Sequence, residues 1–265
     1  YIAVARGLIA RGHEAVIATT APYRDKVEQA GVGFHATRPD LADLGDRAEI
    51  TRRVYDPRRG AEYITRQLIM PHFALPAAKG REAIPSMPGI AQVGIRDLLR
   101  ETESDLKLGI RSVLLFGHPA DGGKTRDGMA AAAANGAVQK AVAALKKSFG
   151  ADLVVITDVC LCAYTDHGHC GIPTKSGEID NDSSLVSLTA AAVSHAEAGA
   201  DILIVSVATF GIDEGAVFPR VVEAVTETAD IPLCLESRNP EALEQALKLG
   251  LGKPIISSVT GEEPL

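Results

Sequence analysis

Three of the four cysteines in this chain lie close together, in the segment ITDVCLCAYTDHGHCG at residues 156–171. Cys160 and Cys162 follow a β-branched run, and residues two apart on a strand project to the same side. A glycine turn at Gly168 can return Cys170 toward them. Three thiolates suit Zn²⁺ and leave a fourth coordination position for water or substrate, as in catalytic zinc sites. The spacing therefore predicts a zinc site formed by Cys160, Cys162 and Cys170.

The same segment has a second interpretation that needs no metal. The cysteines can be small buried side chains without a ligand, and His167 and His169 can form hydrogen bonds within the loop. Both interpretations fit a reducing compartment, because so few cysteines do not make a disulfide framework. The zinc site is favoured, since packing alone gives no reason for this grouping of cysteines in a loop rich in His, Asp and Gly.

The elements that must position these cysteines alternate regularly along the second half of the chain. Five short β-branched runs predict strands at 112–116, 153–159, 202–207, 231–235 and 254–258. Helical segments separate them at 136–149, 184–198, 216–228 and 240–249. Such alternation requires right-handed crossovers and a parallel sheet. We therefore expect a partial (β/α) TIM-barrel-like sheet, with the cysteines at the carboxyl end of a strand, where barrel active sites lie.

The first part of the chain follows a different pattern. Residues 2–34 indicate a Rossmann-like αβαβ segment, and residues 37–59 are polar and interrupted by proline. Proline and glycine residues mark a boundary near 74–83. We predict an α/β fold with two regions, a Rossmann-like fragment at 1–76 and a barrel-like region at 77–265.

Residues 82–201 resemble porphobilinogen synthase, the zinc-dependent 5-aminolevulinate dehydratase. The resemblance is carried by PSMPG, LLFG, VVITDVCLCAYTDHGHCG and EAGADI. It implies that Cys160, Cys162 and Cys170 bind zinc and that Asp158 is a polar active-site residue. The implied reaction is a lyase reaction of tetrapyrrole biosynthesis, in which two 5-aminolevulinate molecules condense to a pyrrole.

The family forms Schiff bases on lysines that lie downstream of EAGADI, and this chain departs from that pattern. It has no lysine between Lys175 and Lys248, and it lacks the PSDMMDGR stretch after Asp201. Without a desolvated amine the carbonyl chemistry has no nucleophile. We therefore predict a zinc-binding protein of this type that is catalytically incomplete.

Two further resemblances suggest alternatives. Residues 202–265 resemble the corrinoid-dependent methyltetrahydrofolate methyltransferases, which implies a pterin or folate cofactor bound by Asn239, Ser257 and Thr260. The first seventy or so residues resemble the N-terminal domain of GT-B glycosyltransferases, without the donor-sugar domain. A third alternative is a designed or recombined mosaic without enzymatic activity.

Composition excludes several other classes of protein. Lys and Arg number 27 against 34 Asp and Glu, so the chain has no basic field that would attract nucleic acid or anionic lipid. No apolar run approaches the length of a membrane span. We expect a cytoplasmic protein whose partner is a small-molecule substrate, and the sequence leaves open whether it forms a homo-oligomer.

Overall fold

An eight-stranded sheet is the largest element of the computed structural model, which describes residues 2–19, 21–36, 71–75, 80–85, 87, 90–120, 122–207, 213–237 and 239–257. The strands in chain order are β1 (Val16–Thr19), β2 (Gly33–Ala36), β3 (Pro71–Ala74), β4 (Arg81–Ala83), β5 (Ala91–Val93), β6 (Ser112–Gly117), β7 (Val154–Val159), β8 (Ile172–Pro173), β9 (Ile179–Asp180), β10 (Ile202–Ser206), β11 (Leu233–Glu236) and β12 (Ile255–Ser257). The helices are α1 (Ile2–Ala10), α2 (Arg24–Gln29), α3 (Ile95–Lys107), α4 (Ala137–Phe149), α5 (Asn181–Glu197), α6 (Glu214–Thr228) and α7 (Pro240–Leu247).

The large sheet has the strand order β12-β11-β10-β7-β6-β3-β5-β4, and all its pairings are parallel except that of β4 with β5. Each of the five predicted strands of the second half of the chain is present, and helices separate them as expected. The predicted α/β class with a parallel sheet is confirmed. The structure adds β3, β4 and β5, which are only three or four residues long and carry no clear periodic signal.

The two faces of this sheet differ in their surroundings. One face carries fully buried apolar side chains, among them Leu115, Val155 and Leu203, which join the helices in one hydrophobic core. Each such buried side chain stabilises the fold by about 1.5 to 3 kcal/mol. On the other face, Asp158 is in register with Ile204, and Ile204 is in register with Cys234. Registered residues project to the same side, so Asp158 has apolar neighbours there.

An ion pair fixes the amino ends of β7 and β10. Lys146 on α4 donates to both carboxylate oxygens of Asp201 at 2.9 Å and to the carbonyl oxygen of Leu153 at 3.2 Å. The Asp201 carboxylate also accepts a hydrogen bond from the Val155 backbone at 2.7 Å. This arrangement holds β7 in place at the end opposite to the cysteines.

The N-terminal residues form a small αβαβ unit of their own. In the described ranges, β1 and β2 pair in parallel with each other and with no strand of the large sheet. The core of this unit consists of Ala5, Val27 and Val32. Exposed ion pairs connect it to the rest of the chain, including Lys253 with Glu14 at 2.6 Å.

The region boundary that the sequence places at residues 76 and 77 follows β3. The structure pairs β3 with both β5 and β6, so this strand lies inside the large sheet. A strand as short as β3 is determined by the strands that pair with it rather than by its own sequence. The sequence therefore places β3 before the boundary, whereas the structure places it in the large sheet. The predicted loop at 37–59 falls outside the described residues. Among the helices that are described, none is both long enough and apolar enough to span a bilayer.

Candidate metal centre

The three cysteines of the loop after β7 converge on one point. The Cys160 sulfur lies 3.3 Å from the Cys162 sulfur and 3.4 Å from the Cys170 sulfur. All three sulfurs lie within 4.8 Å of one another. Tetrahedral zinc with bonds of about 2.3 Å separates its sulfur ligands by roughly 3.8 Å. A small outward movement of the thiols is therefore enough to hold such an ion.

Hydrogen bonds between the thiols shift their pKa values in opposite directions. Hydrogen bonds from the Cys160 and Cys170 thiols stabilise the Cys162 thiolate and lower the pKa of Cys162. The pKa of Cys160 is raised, chiefly because its thiol donates to Cys162 and then to Cys170, and also by burial. One negative charge therefore forms readily in the metal-free cluster. A metal ion bound by the three sulfurs would displace the remaining thiol protons.

The loop is shaped by a turn and by its own histidines. Gly168 has a φ of 72°, a left-handed conformation that glycine adopts without strain. The buried Thr165 hydroxyl donates to the carbonyl oxygen of His169 at 3.0 Å. The Nδ1 atoms of His167 and His169 accept hydrogen bonds from the backbone two residues later, at 3.1 and 3.0 Å. Both histidines thus form hydrogen bonds within the loop.

A second loop braces the first. The Thr125 backbone donates to the carbonyl oxygen of Tyr164 at 2.9 Å and accepts from the Asp166 backbone at 3.1 Å. The His167 Nε2 atom lies 3.0 Å from the carbonyl oxygen of Arg126. Because its Nδ1 atom is an acceptor, the proton of this ring belongs on Nε2, which donates to Arg126. The cysteine loop is therefore held both by its own hydrogen bonds and by those to Thr125 and Arg126.

Asp158, the fifth residue of β7, lies beside the cluster. Burial, and after it the negative charges of Cys162 and Glu236, together raise the pKa of Asp158 to about 7. Glu236 ends β11 on the same face of the sheet, since Ser206 is its register partner. A carboxyl group with this pKa can hold or release a proton near neutral pH.

The residues predicted to bind a pterin are placed differently. The Asn239 side-chain oxygen accepts from the backbones of Glu241 at 2.9 Å and Ala242 at 3.2 Å, so it caps α7. Ser257 ends β12 and is only partly buried. Thr260 lies outside the described residues. The acceptor that Asn239 would offer a pterin is thus already engaged in the fold.

The two lysines that remain downstream lie away from Asp158. Lys248 pairs with Glu244 at 3.2 Å and is 65% exposed, and Lys253 is 81% exposed. Both precede β12, at the amino edge of the sheet, whereas Asp158 lies toward the carboxyl edge. Neither is desolvated as a Schiff-base lysine must be.

Two polar features of the site are not evident in the sequence. The Tyr164 hydroxyl is buried against Gly117 without a hydrogen-bond partner among the described residues, and the buried Ser237 hydroxyl makes a short hydrogen bond with Glu214 at the start of α6. Tyr164 lies in the AYTD part of the cysteine segment, and its position two residues after Cys162 is the one signal that could have drawn attention to it.

Comparisons with known proteins agree on the central part of the chain. The sequence profile of the family described as Delta-aminolevulinic acid dehydratase matches residues 47–212. The chain is 46% identical over 136 residues to the Delta-aminolevulinic acid dehydratase of Methanothermus sociabilis, covering 51% of this chain and 41% of that protein. It is 41% identical over 172 residues to the protein of the same name from Archaeoglobus fulgidus, covering 65% and 49%.

A solved structure is similar as well. The crystal structure of delta-aminolevulinic acid dehydratase (porphobilinogen synthase) from Toxoplasma gondii ME49, in complex with the reaction product porphobilinogen, matches with a TM-score of 0.56 and 26% identity. The match covers 77% of this chain and 61% of that one. The chain therefore spans less than half of the two sequence relatives and under two thirds of this structure. Neither the methyltransferase nor the glycosyltransferase resemblance finds support in these comparisons.

Proposed function

Because the chain belongs to the delta-aminolevulinic acid dehydratase family, we propose that it binds zinc through Cys160, Cys162 and Cys170 and binds 5-aminolevulinate beside Asp158, without completing the condensation to porphobilinogen. The observation that carries this proposal is the convergence of three thiols within 4.8 Å next to Asp158. A zinc ion bound there would act as a Lewis acid toward the oxygen or nitrogen of the substrate.

The residues of the chain supply the rest of the binding site. The braced loop holds the thiols in a fixed arrangement, so little conformational entropy is lost when they bind the ion. Asp158 can donate a hydrogen bond to the substrate when protonated or accept one from its amine when ionised. With a pKa of about 7, both forms are populated at neutral pH. This combination favours a ligand that carries both a carbonyl and an amine.

The carboxyl edge of the sheet supports binding rather than covalent catalysis. The described strand ends on this face carry Ser206, Glu236 and Ser257, none of which can form an imine with a ketone. Lys248 and Lys253 are exposed at the opposite edge. The step that needs a desolvated amine therefore has no residue in the described part of this chain.

The test combines binding with chemical trapping. We expect 5-aminolevulinate to bind the zinc-loaded protein, as measured by calorimetry, and a chelator to abolish the binding. Borohydride reduction of the mixture should give no covalent adduct by mass spectrometry, and little or no porphobilinogen should form. Asp158→Asn should weaken binding, whereas Asp152→Asn, at an exposed aspartate in the turn that precedes β7, should not.

The opposite results would overturn this proposal. A borohydride-stable adduct on Lys248 or Lys253, together with robust turnover, would show that the chain completes the condensation. Binding of 5-aminolevulinate that is equally strong after removal of zinc would separate the ligand from the metal site.

A further inference from the structure

Cys170 is positioned differently from the other two cysteines of the cluster. Cys160 and Cys162 come directly after β7, so the large sheet fixes the backbone that carries them. Cys170 follows the turn at Gly168 and precedes β8, which is only two residues long and pairs with β9 in a separate small sheet. The third thiol therefore depends on contacts between loops for its place in the cluster.

Arg126, in the loop after β6, contacts the chain on both sides of Cys170. Its carbonyl oxygen accepts the hydrogen bond from the His167 Nε2 atom at 3.0 Å, three residues before Cys170. Its guanidinium donates from Nη2 to the carbonyl oxygen of Pro173 at 2.8 Å, three residues after Cys170. One residue thus spans the segment that carries the third thiol.

The backbone of Arg126 is a fixed point for this span. Thr125, the preceding residue, forms an isolated parallel bridge with Thr165, which ties the loop after β6 to the loop after β7. The contact between Arg126 and His167 uses only the Arg126 carbonyl oxygen, which every residue type retains. Substitution of Arg126 therefore removes its bond to Pro173 and leaves the rest of the pairing in place.

The position of β8 determines the position of Cys170. Gly171 joins the two, and a Cβ atom added there would lie 2.7 Å from a methyl carbon of Ile179 on β9, so this residue is packed tightly against the hairpin. The Ile172 backbone donates to the Ser184 hydroxyl at 2.8 Å, which ties β8 to α5. The guanidinium bond adds the connection to the cysteine loop, and a bond from a charged donor is stronger than one between neutral groups.

We propose that Arg126 is a positioning residue of the metal centre, which holds Cys170 within reach of an ion bound by the other two cysteines. The inference rests on the proposed zinc site. The Cys170 sulfur lies 3.4 Å from the Cys160 sulfur, and a ligand that is already in place loses less conformational entropy when the ion binds. Outer contacts of metal ligands commonly change metal affinity by roughly 10- to 100-fold. Because Arg126 is exposed, we expect an effect near the lower end of this range.

The test is a double-mutant cycle with cobalt(II) as the probe, because its thiolate charge-transfer bands report on the sulfurs that bind it. Arg126→Ala should weaken cobalt and zinc binding by roughly 10-fold. Its bands should approach those of Cys170→Ser, in which only Cys160 and Cys162 remain. Arg126→Lys should recover part of the affinity, since an ammonium group can also donate to the Pro173 carbonyl. In the Cys170→Ser background, Arg126→Ala should have no further effect, because both changes act on the same ligand.

Arg220→Ala is the matched control. Arg220 is an exposed arginine on α6, and its guanidinium donates to the Asp182 carboxylate at 2.7 Å. This variant should bind both metals as the original protein does. Urea unfolding of the chelator-treated proteins should show that Arg126→Ala is about as stable as Arg220→Ala, which separates the effect on metal binding from any effect on the fold.

Three results would overturn the inference, and they can be told apart. Unchanged affinity in Arg126→Ala would overturn it and leave the zinc site intact. A further loss of affinity when Arg126→Ala is added to Cys170→Ser would show that Arg126 acts on the fold in general rather than through Cys170. Absence of thiolate bands in the original protein with cobalt would overturn the zinc site and, with it, this inference.

Discussion

The loops after β7 and β11 leave the same carboxyl edge of one sheet, yet they use their polar groups differently. After β11, the Ser237 hydroxyl pairs with Glu214 and accepts from the Asn239 backbone at 3.0 Å, and Asn239 itself caps α7. After β7, the Cys160 thiol bonds to the sulfurs of Cys162 and Cys170, and the Tyr164 hydroxyl has no partner in the part of the chain that the structure describes.

This difference separates structural polar groups from those available to a ligand. A buried polar group is normally satisfied within the protein, so groups that are left over in an accessible loop call for an external partner. By this criterion the loop after β7 fits the proposed binding site, whereas the polar groups of the loop after β11 begin helix α7.

The strongest test of this comparison replaces cysteines in both places. Changing Cys160, Cys162 and Cys170 together to serine should remove equimolar zinc completely, because hydroxyls are poor ligands for this ion. Cys234→Ser, which alters a lone buried cysteine on β11, should leave the zinc content unchanged. Elemental analysis of the purified proteins measures both. Zinc retained by the triple variant, or lost from Cys234→Ser, would break the comparison.

His195 is an unpaired polar side chain of a third kind, since it is buried inside the fold and away from both loops. His195 on α5 is buried with both ring nitrogens unpaired in the described structure, and burial lowers its pKa to about 4. The unfolded chain binds this proton more readily, with a pKa of about 6.5. The neutral ring therefore leaves the fold fully stable above about pH 6.5, and stability falls as the pH drops from there toward 4.

The size of this effect is on the order of 3 kcal/mol at pH 4. Relative to the original protein, His195→Leu should gain stability progressively over this range of pH, as measured by urea unfolding at a series of pH values. His35→Leu, at an exposed histidine on β2, should follow the pH dependence of the original protein. A pH-independent difference between His195→Leu and the original protein would show that the imidazole is solvated or paired.

The smallest expected effect concerns the cap after β11. Asn239→Ala should reduce the free energy of unfolding by about 1 kcal/mol, because two backbone groups at the start of α7 lose their acceptor. Asn239→Asp should retain most of the stability, since an aspartate caps equally well. Neither variant should change zinc binding. A loss of zinc in Asn239→Ala would show that the two loops are coupled rather than distinct.

The sequence predicts the strands of the second half of the chain well because each lies in a short, mainly apolar run next to helical segments. β7 is an example, with alternate residues fully buried under the helices. The spacing of the three cysteines predicts that their sulfurs meet, and the sulfur distances agree with that prediction. Features of this kind can be predicted from a short stretch of sequence without knowledge of the fold.

Other features depend on contacts between distant residues. β3 takes its place from its partners β5 and β6, so its four residues give no warning that they lie within the large sheet. The isolated pairing of Thr125 with Thr165 joins two loops forty residues apart. Asn239 looks like a ligand in sequence, and only the backbone of α7 shows what its side chain binds.

The close approach of the Tyr164 hydroxyl to the Gly117 backbone also constrains which substitutions this chain can accept in evolution. Residues 117, 138 and 164 come from a strand, a helix and a loop, yet they share one small space. A larger residue at 117 is tolerated only where the tyrosine has already been replaced and the valine has moved or become smaller. The order of substitutions is therefore restricted: Tyr164 can be replaced first, whereas Gly117 cannot.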